Sequence, residues 1–253
     1  MKKRYLIITG FFFISVFFSC QKPESVPANC NYSQQTYDSL HRDALYLYVN
    51  EIYTDSLHPN RNQPEINQAP VKRILGQFQA ILDLQIPEVD TVFDILHIRS
   101  CIANTRYLWM KVDPDAPEIQ ALINGQATGN PTLDGIIDQY HFTEVETAYS
   151  YPSFNWISIH SSTDWNLIPI ANQLEGLVFI DLIDSINGLT FDGSYVQKTN
   201  YPAYTEYDFV YGWEDCPSGC LHKRHWIFQV NNTTCEADFS GVFGDVLPTQ
   251  IIE

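Results

Sequence analysis

Four residues that can ligate a metal or carry redox chemistry, Cys216, Cys220, His222 and His225, fall within ten positions of the segment GWEDCPSGCLHKRHWIFQV, residues 212–230. Zinc sites space their ligands as tight pairs such as C-x2-C, with a second pair roughly a dozen residues on. Here the second pair follows at once. On a strand, His222 and His225 would point to opposite faces, and Lys223 and Arg224 add positive charge beside the cation. Catalytic dithiols read C-x-x-C at a helix start, where the thiol pKa falls; this is C-x3-C running into a strand pattern. A stapled turn fits best. Pro217 presets a turn angle, Gly219 tolerates a positive one, and Trp226, Phe228 and Val230 alternate toward one side.

Other constellations carry less. His97, Arg99 and Cys101 read as alternating positions of one strand, where a Cys–His pair competes with a cysteine held in a disulfide. His160, Ser162 and Asp164 hold the three groups of a hydrolytic triad, but such chemistry needs them converging in space rather than adjacent in sequence. They read better as a helix entry with polar caps. Asp113, Asp115 and Glu118 cluster before a helix, with Asp115 as its cap; acids there suit the helix dipole, and the spacing is not that of an EF-hand. Tyr201, Tyr204, Tyr207 and Tyr211 offer an aromatic platform that strand alternation would divide between faces.

The elements that must position these residues begin with helices. Tyr37, Leu40, Ala44, Leu47, Tyr48 and Ile52 share a face, and Val71, Ile74, Leu75, Phe78, Ile81 and Leu82 form a full apolar stripe after Pro70. "TVFDILHI" and "RYLWMKV" then read as strands. Short helices are expected after Asp115 and after Asn130-Pro131, strands at "FTEVETAY" and "FNWISIH", a helix closing at Gly176, and a strand at "VFIDLID". The order helix–strand–strand–helix–strand over 132–183 fits a ferredoxin-like split unit. From Gly188 onward the pattern is all strand. The fold class is therefore α+β, with a mostly antiparallel sheet, N-terminal helices and a β-rich C-terminal part. Residues 36–253 are expected to form one domain, a helical part over 36–88 and a sheet-containing part over 89–253.

The N-terminus reads as an export signal. MKKR precedes an apolar run of 15 residues, too short to span a membrane, that ends at Ser19-Cys20. Small residue, then cysteine, after such a run resembles a bacterial lipobox, although Phe17 stands where an aliphatic residue is usual. In that reading residues 1–19 are removed, Cys20 carries lipid, and residues 20–35 form a flexible tether whose QKPE start resembles a surface-export signal of Bacteroidota lipoproteins. Cleavage removes Lys2, Lys3 and Arg4 and no acid, leaving a charge three units more negative than the −16 of the full chain. Such a charge repels phosphate backbones and argues against nucleic acid. Outside the inner membrane, cysteines favour disulfides. With Cys20 lipidated, five remain. Cys216–Cys220 is the preferred pair, Cys235 pairs elsewhere or stays free, and Cys30 is within reach of Cys101.

GWEDCPSGC, the following W-x-F-x-V, the late Cys235 and FSGVFGDVLP together resemble the C-terminal signature of secreted proteins and lipoproteins of Bacteroidota, which reads G-W-G-D-C-P-S-G-C. Glu214 stands where that pattern has Gly. INGQATGNPTLDGIIDQYHF resembles an internal part of the same family, so the likeness runs from about residue 90 to the end. The family has no established activity. The resemblance implies export and a shared domain and transfers no catalytic residue or cofactor. The expectation is an exported envelope lipoprotein, lipid-anchored in the outer membrane and periplasmic or surface-exposed. It acts as a non-catalytic binding or structural module toward an envelope protein or glycan. The alternatives are an exported hydrolase built on His160, Ser162 and Asp164, and a protease-inhibitor or chaperone-like domain.

Overall fold

The computed structural model describes residues 30–184, 193–216 and 219–248. Helix α1 (Gln34–Thr54) starts where the Ser33 hydroxyl accepts the Thr36 N–H, and α2 (Gln68–Leu82) where the Asn67 side chain accepts the Ala69 N–H. These caps satisfy donors that have no partner inside the helix. The stripe from Val71 to Ile81 is fully buried. Residues 91–98 do not form the expected strand. Pro87 opens a short helix, α3 (Pro87–Asp90), which continues as a wider turn over Thr91–Ile95, with the Leu96 N–H reaching back to the Thr91 carbonyl at 2.9 Å. The reason is packing: Val92 and Phe93 are consecutive and both buried, which a half-exposed strand does not allow. Nor does a strand carry His97, Arg99 and Cys101, since His97 takes a left-handed φ of 47°.

Two four-stranded antiparallel sheets follow among the described residues. The first contains β1 (Tyr107–Val112), β2 (Phe142–Ser150), β3 (Asn155–Ser161) and β4 (Ile180–Asp184) in the order β2-β3-β1-β4. Helices α4 (Pro117–Ile123) and α5 (Pro131–Gln139) lie between β1 and β2, and α6 (Ile168–Leu174) between β3 and β4. This is the order and pairing of a split βαβ unit, and it begins at β1, one strand earlier than the sequence pattern suggests. Leu108, Met110, Val112, Ile157 and Ile159 on one face pack with Ile119, Leu122, Leu133, Ile136, Ile170 and Leu174 from the three helices. Asp115 does not cap α4; its N-cap is Ala116, which makes no side-chain bond.

The second sheet is a meander of β5 (Tyr195–Asn200), β6 (Tyr204–Trp213), β7 (His222–Asn231) and β8 (Ala237–Gly244). Its buried face, with Val196, Tyr207, Phe209, Trp226, Phe228 and Val230, shares a core with α1 and α2. The N-terminal helices thus pack against the last strands of the chain, and the split unit is inserted between them in sequence. Polar ties join the two cores. Arg42 and Arg106 both meet Asp164, Tyr53 donates to the Asn104 carbonyl at 2.7 Å, and the buried Asp43 accepts the Ser100 N–H and hydroxyl at 2.6 and 3.0 Å. No described helix is long and apolar enough to cross a membrane.

Candidate functional site

Cys216 and Cys220 form a disulfide between β6 and β7, as the stapled-turn reading expects. Cys30 does not pair with Cys101. It joins Cys235 across 205 residues, and Cys101 is free, half-buried, with its thiol pushed up by burial. Cys30 is buried against α2 and α1 starts at Gln34, so residues 30–35 of the segment read as a tether are part of the fold. His222 stacks on Trp213 and meets Asp245 at 3.2 Å and Glu214 at 3.5 Å. His225 stacks on Phe243 and meets Asp208 at 2.9 Å; burial raises the Asp208 carboxyl above its ordinary range while His225 lowers it. Among the described residues, no three His, Cys, Asp or Glu side chains are placed to hold a metal ion.

His160, Ser162 and Asp164 share no hydrogen bond. The Asp164 Oδ1 accepts Arg42 at 2.7 Å, Thr105 at 2.6 Å and Arg106 Nε at 2.9 Å, and Oδ2 accepts Arg106 Nη2 at 3.0 Å. Burial alone would raise this carboxyl, but those donors outweigh it and hold it below the usual range. His160 instead stacks on Tyr107 with ring centroids 4.4 Å apart and faces Glu144 at 3.1 Å, while Ser162 is exposed. Asp113 accepts the Asp115 N–H at 2.9 Å, and Asp115 points to solvent. Lipidation at Cys20 and the signal segment lie outside the described residues.

A cleft of about 1100 Å³ lies between α1–α2 and the β5–β6 and β7–β8 turns. Its floor is a hydrogen-bonded chain that starts in the core. The fully buried Tyr207 hydroxyl donates to Gln77 Oε1 at 2.6 Å. Gln77 Nε2 donates to Thr205 Oγ1 at 3.1 Å, Thr205 donates to Asn232 Oδ1 at 2.8 Å, and Asn232 Nδ2 donates to the Tyr201 carbonyl at 2.8 Å. Gln77 is 1% and Thr205 2% exposed, so the chain satisfies groups that would otherwise cost about 1–3 kcal/mol each when buried. Burial holds the Tyr207 phenol well above its ordinary value, with Glu51 adding to that and Arg73 opposing it.

One wall pairs Glu51 with Lys198 at 2.7 Å, and Asn200 donates to the same carboxylate oxygen at 3.0 Å. The loop after α1 forms a further part of the lining. Arg61 ties this loop to α1 by donating to the Ile52 and Tyr53 carbonyls at 2.7 and 3.0 Å. Asn166, fully buried on the split unit, donates to the Asn60, Arg61 and Gln63 carbonyls at 3.2, 2.9 and 2.9 Å. Of the four tyrosines read as a platform, Tyr201 lines the cleft and stacks on Tyr204, Tyr207 lies in the core, and Tyr211 stacks on Trp213 away from it. The sequence reading missed Gln77, Asn166, Thr205 and Asn232. Gln77 alone left a trace, an amide beside an apolar stripe. No protein family, curated protein or solved structure matches the chain.

Proposed function

We propose that the chain is an exported envelope lipoprotein, held at the outer membrane by lipid on Cys20, that acts as a non-catalytic module binding a polar ligand in the cleft. The observation that supports this most is the cleft floor, where buried amides and hydroxyls are locked in one arrangement before any ligand arrives. Pre-organised polar groups lower the ordering cost of binding. The signal-like N-terminus, the acidic charge and the disulfides support export. The occupied Asp164 carboxylate supports a role other than hydrolysis. The test joins fractionation to a thermal-shift panel of peptides, nucleosides and oligosaccharides. The parent protein should sediment with membranes, Cys20→Ser should release it, and at least one ligand class should raise the melting temperature. A parent mass without acyl chains would refute the anchor. A panel without any shift would refute the binding role.

A further inference from the structure

We infer that the cleft takes a neutral oligosaccharide, with one sugar ring seated on Tyr201. The inference rests on the binding reading above and specifies its ligand. Six amide side chains line the cleft: Asn60, Gln63, Asn67, Gln77, Asn200 and Asn232. Gln77 is spent in the floor, buried with both of its groups bonded, while Gln63, Asn67 and Asn200 are exposed and each presents a donor beside an acceptor, the complement of neighbouring hydroxyls that both give and accept. The apolar part of the lining is small and rigid, with Ile74 beside Pro59, Pro70 and Pro202.

Charge narrows the class further. The lining carries Glu51 and Asp55 against Arg73 and Lys198, a balanced set on a chain of net charge −16. Lys198 is already held by Glu51, and its side chain is only 9% exposed. An acidic ligand would need cationic surplus that this lining lacks, and a cationic ligand would gain more from the acidic surface elsewhere.

Tyr201 supplies the platform. The residue is 39% exposed, and its ring stacks on Tyr204 with centroids 4.6 Å apart and planes 27° from parallel. Its N–H donates to the Tyr204 carbonyl at 2.9 Å, and its own carbonyl accepts Asn232. The ring is therefore fixed with one face backed and the rest available to the C–H face of a pyranose, an arrangement that costs little entropy on binding. The volume of about 1100 Å³ exceeds the roughly 300–1,000 Å³ typical of small-molecule pockets, which favours several rings over one.

The test titrates the full lipoprotein, in a detergent without sugar, with neutral gluco-, manno- and xylo-oligosaccharides, oligogalacturonate and an uncharged peptide. The expected result is binding of a neutral oligosaccharide whose affinity is unchanged between about 50 and 500 mM salt. Tyr201→Ala should weaken it about tenfold, and Tyr201→Trp should restore it. Oligogalacturonate or peptide binding without neutral binding would overturn the ligand class and leave the binding module standing. Neutral binding indifferent to Tyr201→Ala would overturn the seat. Failure of every probe would sink both readings.

Discussion

Opening the two disulfides separately should cost very different amounts, because a cross-link acts chiefly on the unfolded chain in proportion to the logarithm of the loop it closes. Cys30–Cys235 spans 205 residues and Cys216–Cys220 spans 4. The chain-entropy relation gives about 5 kcal/mol for the first and about 2 kcal/mol for the second. With a urea slope of about 2 kcal/mol/M, those become midpoint shifts of about 2.5 and 1 M. The long cross-link also joins residues that are 3% and 5% exposed in the core shared by α1, α2 and the second sheet, so loss of its sulfurs adds to the deficit. The assay is urea unfolding of Cys30→Ala/Cys235→Ala and Cys216→Ala/Cys220→Ala beside the parent, followed by tryptophan fluorescence, since Trp226 sits in that core at 3% exposure. A native domain holds only roughly 5–15 kcal/mol in all, so the first variant should stand near the edge of folding. Equal losses in the two variants, or a Cys30/Cys235 variant within about 1 kcal/mol of the parent, would refute the reasoning.

Two further predictions concern buried polar groups. Asn166→Ala removes the donor shared by the Asn60, Arg61 and Gln63 carbonyls and should cost about 2–4 kcal/mol. Hydrogen exchange should quicken in residues 58–64 while β6 and β7 stay protected, and uniform loss of protection would argue against a local clamp. Asp43 is 7% exposed, and burial raises its carboxyl pKa while the Ser100 bonds partly offset this. A raised native pKa gives a contribution to stability that is complete below the unfolded value near 3.9 and is lost as pH rises through the native one. Asp43→Asn keeps an acceptor for both Ser100 donors and removes the charge, so it should exceed the parent in stability at neutral pH and converge with it below about pH 4. Asp43→Ala leaves both donors unpaired and should lose about 2–3 kcal/mol. An Asp43→Asn difference that does not change with pH would contradict the burial argument.

What the sequence made legible is what contacts of short range decide. The α2 stripe is set by spacing along one helix, and Trp226, Phe228 and Val230 by alternation along one strand; all of these point into the core as expected. Residues 91–98 misled because β-branched content was read without their packing, which buries Val92 beside Phe93. The start of the split unit was missed because β1 enters it by pairing with β3 and β4, contacts that no local pattern records. Cys30 was assigned the wrong neighbour for the same reason. Its partner is chosen where α2 meets the β7–β8 turn, and nothing in the spacing of the cysteines distinguishes Cys101 from Cys235.

The cleft shows the limit most sharply. Its lining comes from residues 48–77 and 198–232 and from none of the described residues between, so no contiguous motif announces it. Read singly, Asn60, Asn67, Asn200 and Asn232 look like ordinary surface polar residues. They become a site only because the helices at one end of the chain pack on strands at the other, while Asn166 of the inserted unit fixes the loop from behind. The Cys30–Cys235 bond ties together those same two regions of the chain. The stability of this core and the geometry of the cleft are therefore coupled, and opening that bond should loosen both.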